Sequence, residues 1–290
     1  MPKKKFEAEL EALDQLRADP ATAPAALRKA LQNKNNYFVA KAAKITAALE
    51  LRELIPDLLT ALDRFFEAPD PQCWAKNALV DALMGLGNTT AETYIRGLHH
   101  IQLEPVWGGT EDAAGPLRAR CIVAITQSTG IRDLELLRHL VDRLVDSDKN
   151  VRTEAAHAIG RIDREESALL LRLKALSGDA EPEVLGAALC GIVDIEKDRS
   201  LEFIHQFLER SDDATGEAAL ALARLKTERA LDLLKSRFER ERETSMARVL
   251  LTAIALTRLE SGIAYLEEMV RRDAPKAKLA AEALRSIRAS

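Results

Sequence analysis

Aromatic residues, glycine and proline are scarce in this chain of 290 residues. Phe, Trp and Tyr together make up 4% of it, and there are 13 glycines and 10 prolines, whereas alanine and leucine abound. A protein built of β-hairpins needs many turn residues and favours aromatic side chains in its strands. The composition therefore predicts an all-α fold.

Cysteine is scarcer still. Cys73, Cys121 and Cys190 are far apart, and each lies within a predicted helix. Because there is no Cys-x-x-Cys pair, the spacing supports neither a zinc site nor redox chemistry. We expect three small, buried or half-buried thiols, and we predict neither a metal nor another cofactor.

Long apolar runs are missing as well. The first residues, MPKKKFEAELEALDQL, are basic but lack the apolar stretch of a secretory signal, and no segment approaches the roughly 18 apolar residues of a membrane span. We therefore expect a cytoplasmic protein without a membrane partner. The net charge of -4 also lacks the basic excess of a general nucleic-acid binder, so that only local basic patches could serve such a function.

What the chain does contain is a repeated pair of amphipathic helices, which the segment from Arg132 to Ile162 shows best. The first helix carries large apolar residues at helical spacing, at Leu134, Leu137, Leu140, Val141 and Leu144. After a polar turn over residues 147–150, the second helix carries a stripe of small and branched residues, namely Val151, Ala155, Ala156, Ala158, Ile159 and Ile162. Neither helix can bury its apolar face alone, so the pair needs copies on both sides, as in a solenoid.

The same pair recurs along the chain. The second helix of each pair begins 30 to 43 residues after the previous one, at Phe38, Trp74, Leu117, Val151, Val184, Ala214, Met246 and Lys276. Small or apolar pairs stand four and five residues after each start, such as Ala42 with Ala43 and Ala280 with Ala281. We predict one domain over residues 1–290, a right-handed α-solenoid of about eight antiparallel helical hairpins. Residues 1–22 hold an N-terminal capping helix, and residues 104–116 form a loop insertion in the third pair.

The run DSDKNVRTEAAHAIGRI, over residues 146–162, resembles the second helix of a HEAT repeat of the short bacterial type named after bilin (PBS) lyases. In that type an Asp precedes Val-Arg, and an Ala-Ala-x-Ala-Leu/Ile-Gly run follows. Residues 179–195 and 212–225 show a fainter form of the same pattern. The resemblance implies a structural role for Asp148 and Arg152 between adjacent repeats. It implies no particular partner, because one fold supports many functions.

In such a solenoid the second helices line a concave groove, which is predicted to be basic over the first four repeats. The groove residues that we predict to bind a partner are Lys41, Lys44, Lys76, Arg120, His157 and Arg161. Lysine and arginine also keep an exposed helix face soluble, so two interpretations stay open: a solvated face, or a docking surface for an acidic partner.

Trp107 is a further candidate, because it stands in the insertion and is followed by Gly108 and Gly109. An indole in a glycine-flanked loop is not needed to pack a repeat, and it suits an interface anchor. Alternatively, it folds back to cover the longer connection. Trp74, by contrast, starts a second helix and is predicted to be buried.

The sequence contains no recognisable catalytic constellation. His99 and His100 lack the H-E-x-x-H spacing of a metal site, and there is no Ser-His-Asp set or Gly-rich phosphate loop. We predict no catalytic residue and a non-enzymatic scaffold or adaptor that binds a partner protein or peptide on its concave face. The alternatives are a nucleic-acid-binding or modifying protein of the alkylpurine-glycosylase type, which requires aromatic residues in a basic groove, and an accessory subunit similar to a bilin lyase.

Overall fold

A computed structural model describes residues 2–18, 21–272 and 276–288, and all of its long elements are α-helices. The predicted all-α class is therefore confirmed. The chain divides into two compact units, Met1–Glu154 and Ala155–Ser290.

The first unit contains mostly helices and one short β-hairpin. Its elements are α1 (Pro2–Gln15), α2 (Ala23–Leu31), α3 (Asn36–Ala48), α4 (Ile55–Glu67), α5 (Trp74–Gly85), α6 (Ala91–Leu98), β1 (Leu103–Val106), β2 (Gly109–Asp112), α7 (Gly115–Thr126) and α8 (Asp133–Val141). α9 (Lys149–Arg161) begins in the first unit and ends in the second.

The remaining elements of the second unit are all helical in the part of the chain that the structure describes. They are α10 (Glu165–Ser177), α11 (Pro182–Glu196), α12 (Leu201–Leu208), α13 (Ala214–Ala223), α14 (Glu228–Arg240), α15 (Thr244–Leu256), α16 (Glu260–Arg271) and α17 (Ala277–Arg288).

Polar turn residues set the helix boundaries as the sequence predicts. The side chain of Asn33 accepts a hydrogen bond from the backbone N–H of Asn35 at 2.8 Å. Asn35 in turn accepts one from the N–H of Phe38 at 2.9 Å and so caps α3. After α5, Gly87 adopts a φ of +79°, a left-handed conformation that glycine reaches without a steric penalty.

Within each unit, consecutive helices pack in pairs, and the second helix of each pair also packs against the next second helix. In the first unit the pairs are α2 with α3, α4 with α5 and α6 with α7, and the row of second helices is α3, α5 and α7. In the second unit the pairs are α10 with α11, α12 with α13, α14 with α15 and α16 with α17, and the row is α11, α13, α15 and α17. α1 packs against α3 in the first unit.

Small residues allow the second helices to lie close together. The stripe predicted for α9 is confirmed, because Val151, Ala155, Ala156, Ala158, Ile159 and Ile162 are all buried. The paired small or apolar residues of the other second helices are buried as well, apart from Ala281, which is half-buried.

The stripe predicted for α8 is wrong at its first member, and Val141 is only half-buried. Leu134 is exposed, and the buried residues of this segment are Leu136, Leu137, Leu140 and Leu144. At roughly 100° per residue, Leu136, Leu137 and Leu140 fall within one arc of about 100°, and Leu134 lies outside it. After Val141 the chain continues as a 3-10 turn, which brings Leu144 back to the buried side.

The predicted loop insertion at residues 104–116 contains an antiparallel hairpin instead of irregular chain. The preceding helix ends at Leu98, and Val106 pairs with Gly109 next to the turn. Gly108 in the turn has a φ of +90°. The strands contain Pro105 and several acidic residues, which are depleted in β-structure, so the hairpin has no recognisable strand pattern.

The backbones of α9 and α11 approach each other closely at two glycines. A Cβ atom on Gly160 would lie 2.8 Å from the Cα of Gly191, and one on Gly191 would lie 2.6 Å from a methyl group of Leu171. A side chain at Gly160 would push the two backbones apart, whereas one at Gly191 would first displace the Leu171 side chain. The spacing of these helices therefore depends on two glycines.

Gly160→Ala is expected to destabilise the protein by about 1–3 kcal/mol, because the added methyl group meets backbone that cannot rotate away. Alanine is intrinsically the better helix former by about 1 kcal/mol, so the two effects have opposite signs. Gly85→Ala is the matched control, since a Cβ atom there meets nothing within 4 Å. Urea denaturation followed by circular dichroism measures both variants, and a Gly160→Ala variant as stable as Gly85→Ala would contradict the close contact.

Candidate functional site

The exposure pattern of α5 matches that of α3 when Trp74 is aligned with Tyr37. The sequence alignment places Trp74 opposite Phe38, one residue too far along. In the structural alignment the exposed Lys44 of α3 corresponds to the exposed Asp81 of α5. Trp74 is half exposed, at 50%, so the prediction that it is buried is wrong.

The same one-residue shift explains why Lys76 is misplaced in the sequence-based groove. Lys76 corresponds to the buried Val39 and is itself only 1% exposed. Its ammonium group lies 3.4 Å from the Asp70 carboxylate and donates a hydrogen bond of 3.0 Å to the carbonyl oxygen of Phe65. Lys76 therefore ties the start of α5 to the end of α4, and it is not available to a partner.

Lys41, Lys44 and Arg120, three other candidates of the first unit, lie together. They line a groove of about 430 Å³ across α3, α5 and α7, called here the aromatic groove, whose lining residues are Tyr37, Ala40, Lys41, Lys44, Trp74, Asn77, Ala78, Asp81 and Arg120. Three of the seven residues predicted to bind a partner, Lys41, Lys44 and Arg120, are in this set.

Two aromatic rings form the apolar part of the aromatic groove. The ring centres of Tyr37 and Trp74 are 5.5 Å apart, and their planes are inclined at 57°. Tyr37 is 46% exposed. Ala40 and Ala78 are buried beside the rings and leave room above them because they have no long side chain. The rings thus present a recessed apolar surface to the solvent.

The cations of the aromatic groove differ in their partners. The Lys41 ammonium contacts the carboxylate of Asp14 in α1 at 2.5 Å. The Nε of Arg120 donates to both carboxylate oxygens of Asp81, at 2.9 and 3.1 Å. Lys44 is exposed and forms no ion pair with any residue that the structure describes. The groove therefore holds one uncompensated positive charge next to its aromatic surface.

Trp107 lies at the tip of the hairpin and does not line the aromatic groove. Its indole is fully exposed and therefore covers no part of a repeat. The base of the hairpin is held firmly: the side-chain amide of Gln102 donates to the backbone oxygen of Asp70 at 2.7 Å, and the backbone N–H of Gln72 donates to Glu104 at 2.7 Å. These contacts hold the backbone of the hairpin that carries Trp107.

A buried guanidinium anchors the other end of the hairpin. Arg118 in α7 donates to both carboxylate oxygens of Asp146, at 2.9 and 2.7 Å, to Asp112 at 2.6 Å and to the backbone oxygen of His100 at 3.0 Å. Burial alone would raise the pKa of Asp112, but hydrogen bonds from two backbone N–H groups and from Arg118 outweigh it and lower that pKa. Asp112 is therefore held in its ionised form.

The remaining predicted residues, His157 and Arg161, belong to the second unit, where both are exposed on α9. Asp148, expected to be structural, accepts a hydrogen bond from the N–H of Asn150 at 2.7 Å at the start of α9. Arg152 donates to the backbone oxygen of Asp146 at 2.9 Å. Both thus make local contacts that fix the turn before α9.

The thiols have the predicted burial, since Cys73 and Cys121 are buried and Cys190 is half-buried. Burial raises the pKa of Cys73 and of Cys121 to about 12, and that of Cys190 to about 11, which keeps all three protonated near neutral pH.

His99 and His139 contact each other through their ring nitrogens at 3.1 Å. Over residues 2–18, 21–272 and 276–288, no cluster of three or more metal-binding side chains occurs. Across those same ranges, every helix is too short or too polar to cross a bilayer.

Arg118→Met is expected to cost about 3–5 kcal/mol, because it leaves the buried Asp146 and the partly buried Asp112 without their cation. Arg96→Met is the control. Arg96 forms exposed ion pairs with Asp63 and Glu67, so its loss is expected to cost about 1 kcal/mol or less. Urea denaturation of both variants tests the difference, and a similar small loss in both would show that the Arg118 cluster adds little.

No protein-family model matches this chain, and none of the curated proteins searched matches it. The geometry of the aromatic groove and of the hairpin is therefore the evidence that bears on its function.

Proposed function

We propose that this chain is a HEAT-like α-solenoid, a single cytoplasmic domain of about eight helical hairpins, that binds a partner protein without catalysing a reaction. The aromatic groove is its main contact, and Trp107 is a second one. Packing of each second helix against the next, within both units, supports the repeat organisation. Three distant cysteines that form no disulfide fit a reducing compartment.

The observation that carries this proposal is the half-exposed pair Tyr37 and Trp74 beside Lys41, Lys44 and Arg120. Tryptophan, tyrosine and arginine are the residues most enriched at the energetic centres of protein interfaces. Rings that serve only to pack a repeat would be buried, as Tyr94 and Phe65 are. The exposure of Tyr37 and Trp74 in a recess therefore indicates a surface that a partner covers.

The test is affinity capture from cells that express the protein, with the bound proteins quantified by mass spectrometry. Lys44→Glu combined with Arg120→Gln is expected to retain at least about tenfold less of its specific partner, because charge complementarity at the groove is lost. Thermal stability is expected to be unchanged, since both side chains are at the surface.

The matched control is Lys34→Glu combined with Arg138→Gln. It makes the same change in net charge at two exposed residues of the first unit that do not line the groove. Equal capture by the groove variant and by this control would exclude the aromatic groove as the binding surface. Trp107→Ala, tested in the same way, measures what the hairpin contributes.

Nucleic acid is the second candidate partner, because Tyr37 and Trp74 place aromatic rings in the groove, where the sequence alone did not predict them. Exposed rings beside cations bind single-stranded nucleic acid by stacking on the bases and pairing with phosphates. A gel-shift assay with single-stranded DNA at about 50 mM salt, where phosphate contacts are strongest, tests this function. If the groove binds nucleic acid, the shift weakens with added salt and with Trp74→Ala. The absence of any shift would rule out nucleic-acid binding.

A further inference from the structure

We propose that the occupant of the aromatic groove is an acidic protein segment that carries an aromatic or large aliphatic side chain among its carboxylates. The inference rests on the proposed protein-binding function and names the chemistry of the partner.

Two cations of the groove already bind carboxylates of the chain. Lys41 and Arg120 each hold a carboxylate of the chain itself, from Asp14 and Asp81. Their positions therefore already suit a carboxylate group. Both carboxylates are about half exposed, and exposed ion pairs are weak, so a partner's carboxylate can replace them at little cost.

Lys44 is the third cation of the groove. It lies on the same face of α3 as Lys41, one turn further on, and it also lines the groove. Because it forms no ion pair within the described part of the chain, its charge is available without any exchange. An incoming carboxylate can therefore pair with Lys44 without displacing a carboxylate of the chain.

The rings of Tyr37 and Trp74 form the apolar part of the binding surface. Tyr37 and Trp74 are inclined at 57°, which forms a corner over the small side chains of Ala40 and Ala78. A single phenylalanine, leucine or tryptophan of a partner fits such a corner and shields both rings from water. The apolar contact supplies affinity, and the carboxylates flanking it supply orientation.

The charge of the groove favours carboxylates of a protein over phosphates of a nucleic acid. Nucleic-acid binding depends on several simultaneous phosphate contacts. Of the groove cations, only Lys44 has no ion pair among the residues that the structure describes, and Asp81 places a negative charge within the groove itself. A few carboxylates match this pattern better than a continuous polyanion.

Asp81 provides the sharpest test, because it competes with the partner. Asp81→Asn frees Arg120 and removes a negative charge, so it is expected to tighten binding of an acidic segment by about three- to tenfold. A residue with a merely structural role would weaken binding or leave it unchanged when replaced. Asp63→Asn is the matched control, since Asp63 is exposed, contacts Arg96 and lies off the groove.

The experiment measures fluorescence anisotropy of labelled ten-residue peptides with the full chain. The probes are an acidic peptide of Glu and Asp with two central phenylalanines, the same peptide with alanines in their place, and the same peptide with Gln and Asn in place of the acids. A ten-nucleotide oligo-dT is the fourth probe. The Trp107→Phe background leaves Trp74 as the only tryptophan of the chain, so its emission reports occupancy of the groove directly.

The acidic phenylalanine peptide is expected to bind and to shift the Trp74 emission, with at least about fivefold weaker binding of the alanine peptide and none of the amide peptide. Asp81→Asn should tighten it, and Lys44→Glu with Arg120→Gln should weaken it at least about tenfold. The inference is overturned by no binding up to about 1 mM, by equal binding of the amide peptide, by weaker binding to Asp81→Asn, or by tighter binding of the oligonucleotide.

Failure here is distinguishable from failure of the proposed function. If the peptides do not bind but capture from cells still depends on Lys44 and Arg120, the groove binds a protein of different chemistry. If capture is also unchanged in the groove variant, both proposals fall.

Discussion

Close contact between neighbouring second helices is the constraint on which the rest of each unit depends. It requires small residues where two helices meet, and a Cβ atom on Gly160 would lie 2.8 Å from the Cα of Gly191. Once those helices are in a row, the side chains one turn apart on their free faces necessarily line a shared surface. The aromatic groove is such a surface, and its composition follows from which residues the sequence places at those positions.

This dependence explains why the all-α class and the pairing of consecutive helices could be predicted from sequence. The helix pairs are local in sequence, and their turns carry Asn, Asp and Gly at the boundaries where the structure ends and starts helices. The buried stripe of α9 follows from helical spacing alone, and every one of its residues is buried as predicted. Pattern and packing agree here because a stack of similar pairs buries the same face each time.

The site was harder to predict, because it depends on the register of one helix. Gln72 and Cys73 both have a positive φ just before α5, a conformation that non-glycine residues rarely adopt and that helical spacing cannot anticipate. The exposure pattern of α5, which follows directly, is offset by one residue relative to the sequence alignment. That shift exposes Trp74 and buries Lys76, two residues whose chemical types suggest the opposite. The buried Asp70, which accepts from the N–H groups of Ala75 and Lys76 and lies beside the ammonium of Lys76, is the compensation that makes this arrangement stable.

The hairpin that carries Trp107 differs from an ordinary surface loop in how it could evolve or be engineered. Loops of this length usually tolerate deletion or replacement, because little in the core depends on them. Here Asp112, at the end of β2, shares the guanidinium of Arg118 with Asp146. Removing the hairpin would leave that buried cation with one carboxylate fewer. The hairpin is therefore not a transferable module: grafting it elsewhere, or deleting it here, requires changing the charge inside the repeat that carries it.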